Sequence, residues 1–352
     1  LENDEEGLQE VIEWSGEFNT QEQIDNLLNS DRRFNYYLYD NEIDHYNQDH
    51  YQLHFNHEIN DLFNFSLAAH YTYGRGYFEQ ERLDDDFADY GLDDVVIGDS
   101  VITSTDLIRR RWLDNDFYGA TYSFNYVDDE LQLTLGGSYN EYDGDHFGEI
   151  IWARTAGNTN IRERYYDGNG RKTDFNSFLK ANYQASDKLN LFGDLQIRSI
   201  DYKTEGTDND LVEYDTGGEY LFVNPKVGFS YVLNNASSIY ASYAIGNREP
   251  VRSDFIDAPN GETPLHETLH NVEAGIRSNN SRLGYEANVY YMAYKNQLVL
   301  TGALNDVGAS IRSNVPDSYR AGIELVASYQ ITSNINWTLN ATFSQNKINE
   351  YT

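Results

Sequence analysis

The chain of 352 residues carries 58 acidic and 25 basic side chains, which gives a formal net charge of −33. A surface this acidic repels nucleic acid, itself a polyanion, so nucleic acid is excluded as a partner. A helical membrane protein is excluded as well, because no apolar run reaches the length of about 18 residues that a spanning helix needs.

The composition favours strands over helices. Aromatic residues make up 14% of the chain, with 30 Tyr and 17 Phe, and such side chains are enriched in β-strands. Cys is absent, which excludes disulfides, thiolate metal sites and a cysteine nucleophile. We interpret residues 1–45 as an extracellular loop region, and Leu1–Glu10 lacks the basic and apolar segments of a secretory signal. Both ends of the chain are therefore expected to be cuts within a longer protein.

From residue 46 to residue 352 the dominant pattern has a period of two, in which successive side chains point to opposite faces of a strand. The clearest segment, Ile335–Phe343, matches the length of about 9 to 11 residues with which a tilted strand crosses a bilayer. Tyrosines at the segment ends predict an interfacial aromatic girdle. The side chains predicted to face lipid are Phe63, Phe65, Leu67, Ala69, Tyr71 and Tyr73; Tyr118, Ala120, Tyr122, Phe124 and Tyr126; Leu131, Leu133, Leu135 and Tyr139; Leu189, Leu191, Leu195 and Ile197; Val223, Val227, Phe229 and Tyr231; Tyr319, Ala321, Ile323, Leu325, Ala327 and Tyr329; and Ile335, Trp337, Leu339, Ala341 and Phe343.

Short turn signals separate paired segments, and long connections follow them on the other side. Six tight turns predict twelve strands, and they lie at Asn60-Asp61, Asp128-Asp129-Glu130, Ser186-Asp187-Lys188, Asn234-Asn235-Ala236, Asn279-Asn280 and Thr332-Ser333-Asn334. The long loops are predicted from Gly74 to Asp116, Asp143 to Asp174, Lys203 to Tyr220, Asn247 to His270 and Asn296 to Ser318. Short periplasmic turns and long extracellular loops are the asymmetry of outer-membrane barrels.

A water-soluble antiparallel sandwich is the alternative fold, since it also alternates and has hairpins. A polar lumen explains better why the polar faces carry Lys180, Arg198, Lys226, Glu273 and Arg277. Pro225 interrupts a strand pattern and is tolerated only near a strand end or a bulge.

One motif has the spacing of a zinc peptidase. His266–His270 reads HExxH, which binds zinc only on a helix, where both His side chains share a face. Here Pro264 precedes it, Val272 and Ala274 continue in strand alternation, and the possible third ligand, Glu286, falls inside a strand pattern. We therefore expect entry from a loop into a strand, with a catalytic zinc site as the alternative.

Three further groups of charged or titratable residues receive ordinary interpretations. His50 and His54 are predicted on the polar strand face and His57 in the turn region. Arg109–Arg111 beside Trp112 is predicted to be a solvated run in an outer loop, with contact to a ligand or to lipopolysaccharide as the alternative. Hydration is the default role of the acidic loop residues and calcium binding the alternative, and these residues are Asp84, Asp85, Asp86, Asp89, Asp93, Asp94, Asp208 and Asp210.

Several stretches resemble the barrel portion of TonB-dependent outer-membrane receptors, especially those of Bacteroidetes. The resemblance covers nearly the whole chain after about residue 40. The matching stretches are Tyr46–Leu53, Tyr71–Gln80, Tyr240–Ala244 with Arg248–Pro250, and the most specific one, Asn296–Gly302 with Asn305–Gly308 and Ile311–Glu324.

The resemblance implies an all-β fold, an antiparallel transmembrane β-barrel of which this chain supplies about twelve of 22 strands. It implies import of a scarce nutrient, such as a ferric siderophore or another iron complex, with energy supplied by TonB through a segment outside this chain. The plug domain is also expected outside it. Outer-membrane lipid and lipopolysaccharide are the expected surroundings, and no enzyme activity, resident cofactor or metal is expected. A passive porin-like or adhesive barrel is the alternative.

Ligand binding by such a receptor requires aromatic and cationic side chains that converge in the outer vestibule. Seven residues of the predicted loops meet this description, and they are Trp152, Arg154, Arg162, Arg164, Tyr165, Arg248 and Arg252.

Overall fold

A computed structural model describes residues 21–29, 34–35, 38–157, 159–258, 263–304 and 310–349. Leu1–Glu10 and Asn305–Gly308, which figure in the sequence-based predictions, lie outside the described residues. The chain divides into two compact units. Unit 1 consists of Leu1–Asn47, Gly76–Trp112 and Phe147–Tyr166, and unit 2 consists of Gln48–Arg75, Leu113–His146 and Asp167–Thr352.

Strands dominate both units, in agreement with the predicted all-β class. Twelve of them form one sheet in the order β1-β2-β5-β6-β7-β8-β9-β10-β11-β12-β13-β14, and β3 pairs with β4 as a separate hairpin. The strands are β1 Ile43–Glu58, β2 Phe63–Asp86, β3 Val95–Ile97, β4 Ser100–Ile102, β5 Ser104–Val127, β6 Leu131–Ala153, β7 Arg164–Ser186, β8 Leu189–Thr207, β9 Glu213–Asn234, β10 Ser237–Arg248, β11 Glu267–Asn279, β12 Leu283–Leu304, β13 Ser310–Thr332 and β14 Ile335–Ile348. The helices are α1 Gln21–Asn29, a 3-10 helix Phe87–Tyr90 and α2 Arg252–Ile256.

The six predicted tight turns are confirmed, because each falls between two neighbouring strands of the twelve-stranded sheet. Side chains close most of these turns by accepting backbone N–H groups. The Oδ1 of Asn60 accepts the N–H groups of Leu62 and Phe63 at 2.9 and 3.0 Å. Asp128 does the same for Glu130 and Leu131 at 2.9 and 2.7 Å. The turn residues therefore fix the hairpin connections locally.

The strand register brings the predicted apolar faces together, because apolar partners lie opposite one another. In unit 2, Leu191 of β8 pairs with Phe229 of β9, and Tyr329 of β13 pairs with Trp337 of β14. These four side chains are exposed on the sheet. A continuous band of large exposed apolar side chains is what a lipid-facing surface requires.

The opposite face of unit 2 carries the charged side chains that the sequence predicted there. Lys180 of β7, Asp194 of β8 and Lys226 of β9 lie in register across three strands, so their charges alternate in sign. The ladder between β9 and β10 ends at Lys226 and Ala244. Pro225 therefore lies at the end of a ladder, where its missing N–H removes no bond to β10.

Four of the five predicted long loops are wrong in extent, because the strands continue far beyond the predicted bilayer-spanning segments. The loop from Asn247 to His270 agrees, since β10 ends at Arg248 and β11 begins at Glu267. The ladder between β8 and β9 runs to Thr207 and Glu213, although a loop from Lys203 to Tyr220 was predicted. The ladder between β12 and β13 likewise reaches Leu304 and Ser310. Backbone hydrogen bonds hold a hairpin together without an apolar face, so alternation ends before the strands do.

The predicted loop region of residues 1–45 contains regular structure. Helix α1 occupies Gln21–Asn29, and β1 begins at Ile43 rather than at residue 46. Within the described part of the chain, no helix is long and apolar enough to cross a membrane.

Candidate functional site

The loop after β2 in unit 1 contains a short 3-10 helix with two buried aromatic side chains. Phe87 and Tyr90 are spaced three residues apart, which places both on one side of a 3-10 helix. They are only 1% and 2% exposed, although the surrounding loop is acidic. Gly91 ends the helix at φ 65°, a left-handed conformation that favours glycine.

The basic run Arg109–Arg111 lies within β5 rather than in a solvated loop, so that prediction is wrong. All three side chains are partly buried. Alternation along the strand sends Arg109 and Arg111 to one face and Arg110 to the other. Aromatic side chains line both faces, because the Arg111 guanidinium lies 5.4 Å from the Phe78 ring and that of Arg110 lies 4.2 Å from the Tyr77 ring.

Arg109 hydrogen-bonds to neutral groups. Its Nη2 and Nε donate to Gln80 Oε1 at 3.0 and 3.3 Å, and its Nη1 donates to the Tyr90 hydroxyl at 3.3 Å. Tyr90 in turn donates to Asp85 Oδ2 at 2.6 Å. Burial raises the pKa of Tyr90 despite the nearby charge of Arg109. Within the part of the chain that the structure describes, Arg109 therefore contacts a carboxylate only through this tyrosine.

Arg110 on the other face is matched by a carboxylate. Its Nε lies 2.7 Å from Glu79 Oε2, and Glu79 also accepts bonds from Tyr39 and Asn41 at 2.5 and 2.6 Å. Burial alone would raise the pKa of Glu79, but these hydrogen bonds and the charge of Arg110 hold it below its usual range. The ionised Glu79 therefore links β2, to which it belongs, to β5 and to the segment before β1.

An aromatic stack continues along unit 1. The Trp112 and Phe147 rings are nearly parallel, with centroids 5.8 Å apart, and Trp112 donates to Glu149 Oε2 at 3.1 Å. The Arg164 guanidinium lies 3.5 Å from the centre of the Phe147 ring, within cation–π range. Phe147 is thus in contact with both a cation and an indole.

A cavity of about 180 Å³ lies beside these groups, and we call it the arginine cleft. It is lined by Tyr90, Gly91, Leu92, Ile150, Thr159, Asn160, Glu163, Arg164 and Tyr165. A second cavity of about 410 Å³ shares Gly91, Leu92, Thr159 and Glu163 with it and is also lined by Asp93 and Asp94.

Tyr165 presents an aromatic wall to the arginine cleft. Its ring packs edge-on against Tyr90 and Tyr166, with centroid distances of 4.8 and 5.0 Å. Burial raises the pKa of Tyr165 to about 12, an effect that the charge of Arg109 only partly offsets. Its hydroxyl is therefore protonated at neutral pH, and it has no hydrogen-bond partner among the described residues.

The structure separates the seven predicted ligand residues. Arg164 and Tyr165 line the arginine cleft. Trp152 lies near the end of β6 and is 46% exposed. Arg154 pairs with Asp106 at 2.6 Å. Arg162 takes a positive φ of 63° in the turn between β6 and β7, where Asn160 N–H donates to Glu163 Oε2 at 2.9 Å. These last three residues are not among the lining of the arginine cleft.

The remaining two candidates lie in unit 2, on the connection between β10 and β11. Arg248 ends β10 and its Nε lies 3.5 Å from Glu267 Oε2. Arg252 begins α2, and its Nη2 donates to the Tyr214 hydroxyl at 2.7 Å. The pairing with Glu267 leaves Arg248 less available to a ligand than Arg252.

The HExxH motif enters a strand from a loop, as predicted. Glu267 is the first residue of β11, so His266 precedes the strand and His270 lies within it. His266 packs on Phe222 at 5.4 Å, His270 contacts the Tyr243 hydroxyl at 2.8 Å, and Glu267 accepts the Leu298 N–H at 2.5 Å. Each motif residue has its own structural role.

The histidines of β1 and the acidic loops have local partners. His50 contacts Thr72 Oγ1 at 3.0 Å and His54 contacts Gln52 at 3.2 Å. His57 lies just inside the end of β1, beside the turn region. Asp208 closes the connection between β8 and β9 by accepting the N–H groups of Asp210 and Val212. Across the described ranges, no group of three or more such side chains has the arrangement of a metal site.

Sequence reasoning missed Tyr90, Gln80 and Asn160 as parts of the site. The available signal was the pair of aromatic residues, Phe87 and Tyr90, spaced three apart within an acidic loop. A solvated loop has no reason to hold two large apolar rings at that spacing, so they indicated a buried turn of helix.

Comparisons with known proteins agree with this architecture. A family model described as TonB dependent receptor-like, beta-barrel matches residues 8–352. No curated protein matches the chain.

Several solved structures share the fold. The copper transporter OprC has a TM-score of 0.65 and 15% identity, with 86% of this chain and 46% of that chain covered. The siderophore receptor PiuA from Acinetobacter baumannii has a TM-score of 0.58 and 16% identity, with 87% of this chain and 48% of that chain covered. The ferric-catecholate import receptor Fiu from E. coli K12 has a TM-score of 0.54 and 14% identity, with 91% of this chain and 51% of that chain covered. The chain thus spans about half the length of these structures, and likeness at such identities concerns the fold alone.

Proposed function

The chain belongs to the TonB-dependent receptor β-barrel family, and we propose that it is the barrel part of a receptor that imports a scarce nutrient with energy supplied through TonB. Proteins of this family lie in the outer membrane of Gram-negative bacteria, and the family and the structural neighbours are receptors and transporters. A ferric siderophore or another iron complex is the proposed substrate class, because similar solved structures include a ferric-catecholate import receptor and a siderophore receptor.

The arginine cleft is the observation that carries this proposal. Tyr90 and Tyr165 offer ring faces and edges, Arg164 offers a positive charge stacked on Phe147, and Arg109 lies behind Tyr90. Aromatic walls with a few placed polar groups are typical of small-molecule sites. A cavity of about 180 Å³ is smaller than the 300 Å³ or more of most ligand pockets, so it holds one group of a larger ligand.

The proposed mechanism requires no covalent chemistry in this chain. The protonated Tyr165 hydroxyl and the Arg164 guanidinium hold an oxygen-rich ligand by charge-assisted hydrogen bonds. The short turns face the periplasm and the long hairpins face the exterior. TonB then acts on a plug domain supplied by the rest of the receptor and opens the lumen to the captured ligand.

Growth of a deletion strain on single iron and cobalamin sources tests the proposal. We expect growth to fail on one source and to return when the full-length gene is restored. A strain that lacks TonB is the control, and the restored gene is expected to give no growth there. Growth on every source, or rescue that does not depend on TonB, would refute energised import; the second result favours a passive barrel.

A further inference from the structure

The connection after β10 folds across the polar face of unit 2, and we call residues Glu249–Asp257 the strap. Glu249 follows β10 directly, yet it contacts Lys172 of β7 at 2.5 Å and Arg198 of β8 at 3.0 Å. Asp254 lies 3.4 Å from Arg312 of β13 and also accepts the Val251 N–H at 2.8 Å. These contacts reach strands on both sides of β10, so the strap is held in one place.

Arg252 differs from the other cations of this region. Lys172, Arg198 and Arg312 each have a carboxylate partner. Among the described residues Arg252 has none, although the chain holds 58 acidic residues against 25 basic ones. Within the described ranges its guanidinium hydrogen-bonds only to Tyr214, and it lies 5.2 Å from the centre of that ring. A partly buried cation without a counter-charge is costly, and here carboxylates are abundant.

Two buried polar atoms near the strap lack partners in the described structure. They are the Nε of Arg252 and the hydroxyl of Tyr202. Burial raises the pKa of Tyr202, and the nearby charge of Arg252 opposes that rise, so the two groups lie within electrostatic reach. The Phe255 ring of the strap lies 6.0 Å from the Tyr202 ring and closes this region on one side. Unsatisfied buried donors destabilise a protein unless a ligand or water accepts their hydrogen bonds.

We propose that Arg252, with Tyr202 and Tyr214, binds an oxyanion group of the imported ligand, either a carboxylate or a phosphate. A carboxylate or phosphate oxygen accepts hydrogen bonds from the guanidinium and from the phenol, and its charge supplies the partner that Arg252 lacks. This inference rests on the proposed function for the source of the anion. The strap holds Arg252 in place through Glu249 and Asp254, so the site is formed before the ligand arrives.

Titration calorimetry on the full-length receptor in detergent tests the site with acetate and inorganic phosphate as probes, at constant ionic strength. We expect saturable binding of one probe. Arg252→Met is expected to weaken it at least about tenfold, because a hydrogen bond to a charged group is lost. The control Lys203→Met removes a cation already matched by Glu205 and Asp215 and is expected to leave affinity within about twofold.

Tyr202→Phe separates binding from structure. Its hydroxyl has no hydrogen-bond partner among the described residues, so the variant is expected to unfold at the same urea concentration as the wild type or at a higher one, but to bind the probe about fivefold more weakly. If Arg252→Met does not fold, Arg252→Lys keeps the charge and loses the planar fork, and affinity is expected to fall by a similar factor.

The outcomes separate this inference from the proposed function. No saturable binding, or equal affinity in Arg252→Met, Tyr202→Phe and the wild type, overturns the oxyanion site and leaves import untouched. Anion binding that depends on Arg252, found in a receptor whose deletion strain grows on every source, supports the site and refutes the import of those nutrients.

Discussion

The strap and the arginine cleft both bring cationic side chains together, but the partners of these side chains differ between the two regions. At the strap, Glu249 and Asp174 hold Arg198, and Glu249 also holds Lys172, with separations of 2.5 to 3.0 Å. At the arginine cleft, Arg109 lies behind the lining and hydrogen-bonds to Gln80 and Tyr90, whereas Arg164 lines the cleft and stacks on Phe147.

The difference indicates what each region is for. A buried ion pair holds chain segments in place, and removing one partner leaves an uncompensated charge. A guanidinium held by neutral groups, as Arg109 is by Gln80 and Tyr90, keeps its full charge for an incoming anion. Changes at the strap carboxylates Glu249 and Asp254 should therefore affect stability first, and changes in the cleft should affect binding first.

The largest effect is expected from Glu249→Gln. It leaves Lys172 and Arg198 without this carboxylate and should lower the free energy of unfolding of the full-length receptor by about 2 kcal/mol. That is less than the about 3 to 5 kcal/mol of a fully buried pair, because both cations stay partly solvated. Urea unfolding in detergent micelles measures it. The matched control, Glu205→Gln, alters an exposed pair with Lys203 and should change stability by less than about 0.5 kcal/mol.

The lowered pKa of Glu249 predicts that the stability of the protein depends on pH. Burial would raise the pKa of Glu249, but its bonds from Lys172 and the charge of Arg198 lower it below the ordinary value of 4.5. A lowered folded-state pKa contributes stability above pH 4.5 that is lost as the pH falls through the folded-state value. Urea midpoints should therefore fall more steeply below pH 4.5 in the wild type than in Glu249→Gln; parallel curves would refute the assignment.

The next effect is expected from Arg109→Met, which removes the cation behind Tyr90 in the wall of the arginine cleft. We expect affinity for the nutrient identified by the growth assay to fall about tenfold, because a cation with neutral partners is lost, while the urea midpoint changes little. Arg75→Met is the control, since Arg75 pairs with Asp114 at 3.2 Å and is half exposed. A loss of stability without a loss of affinity would give Arg109 a structural role instead.

Tyr165→Phe is expected to move stability and binding in opposite directions. The hydroxyl is buried without a hydrogen bond, so its removal should stabilise the protein by up to about 1 kcal/mol. Ligand affinity should fall, because a donor in the cleft is lost. Reduced stability in this variant would show that the hydroxyl has a partner in solution.

The smallest effect is expected at a tight turn that belongs to neither the strap nor the arginine cleft. Asn60→Ala removes the acceptor of two backbone N–H groups and should cost about 1 kcal/mol of unfolding free energy. Asn60→Asp keeps the acceptor and should cost less. Nutrient affinity should be unchanged in both, and a change there would contradict the separation of binding from hairpin closure.

Turns and apolar strand faces were predictable from the sequence because both are local. Asn60 and Asp128 close turns within three residues, and a period of two is decided by neighbouring side chains. The outer parts of the strands were not predictable, because a ladder such as that ending at Thr207 and Glu213 depends on backbone bonds and not on alternation.

The site was predictable only in part. Arg164 and Tyr165 were identified as an aromatic and cationic pair, and they do line the cleft. Arg109 was interpreted as solvated, because a basic run does not reveal that its members lie on two faces of a strand. The contact between Glu249 and Lys172 joins residues 77 positions apart, and no local pattern indicates it.

Uptake of the labelled nutrient by intact cells tests the central claim most directly. With a proton gradient and TonB present, we expect rapid uptake; without either, uptake should stop while surface binding persists, and Arg109→Met should weaken that binding. Uptake that continues without the gradient, or surface binding unaffected by Arg109→Met, would contradict energised import through capture in the arginine cleft.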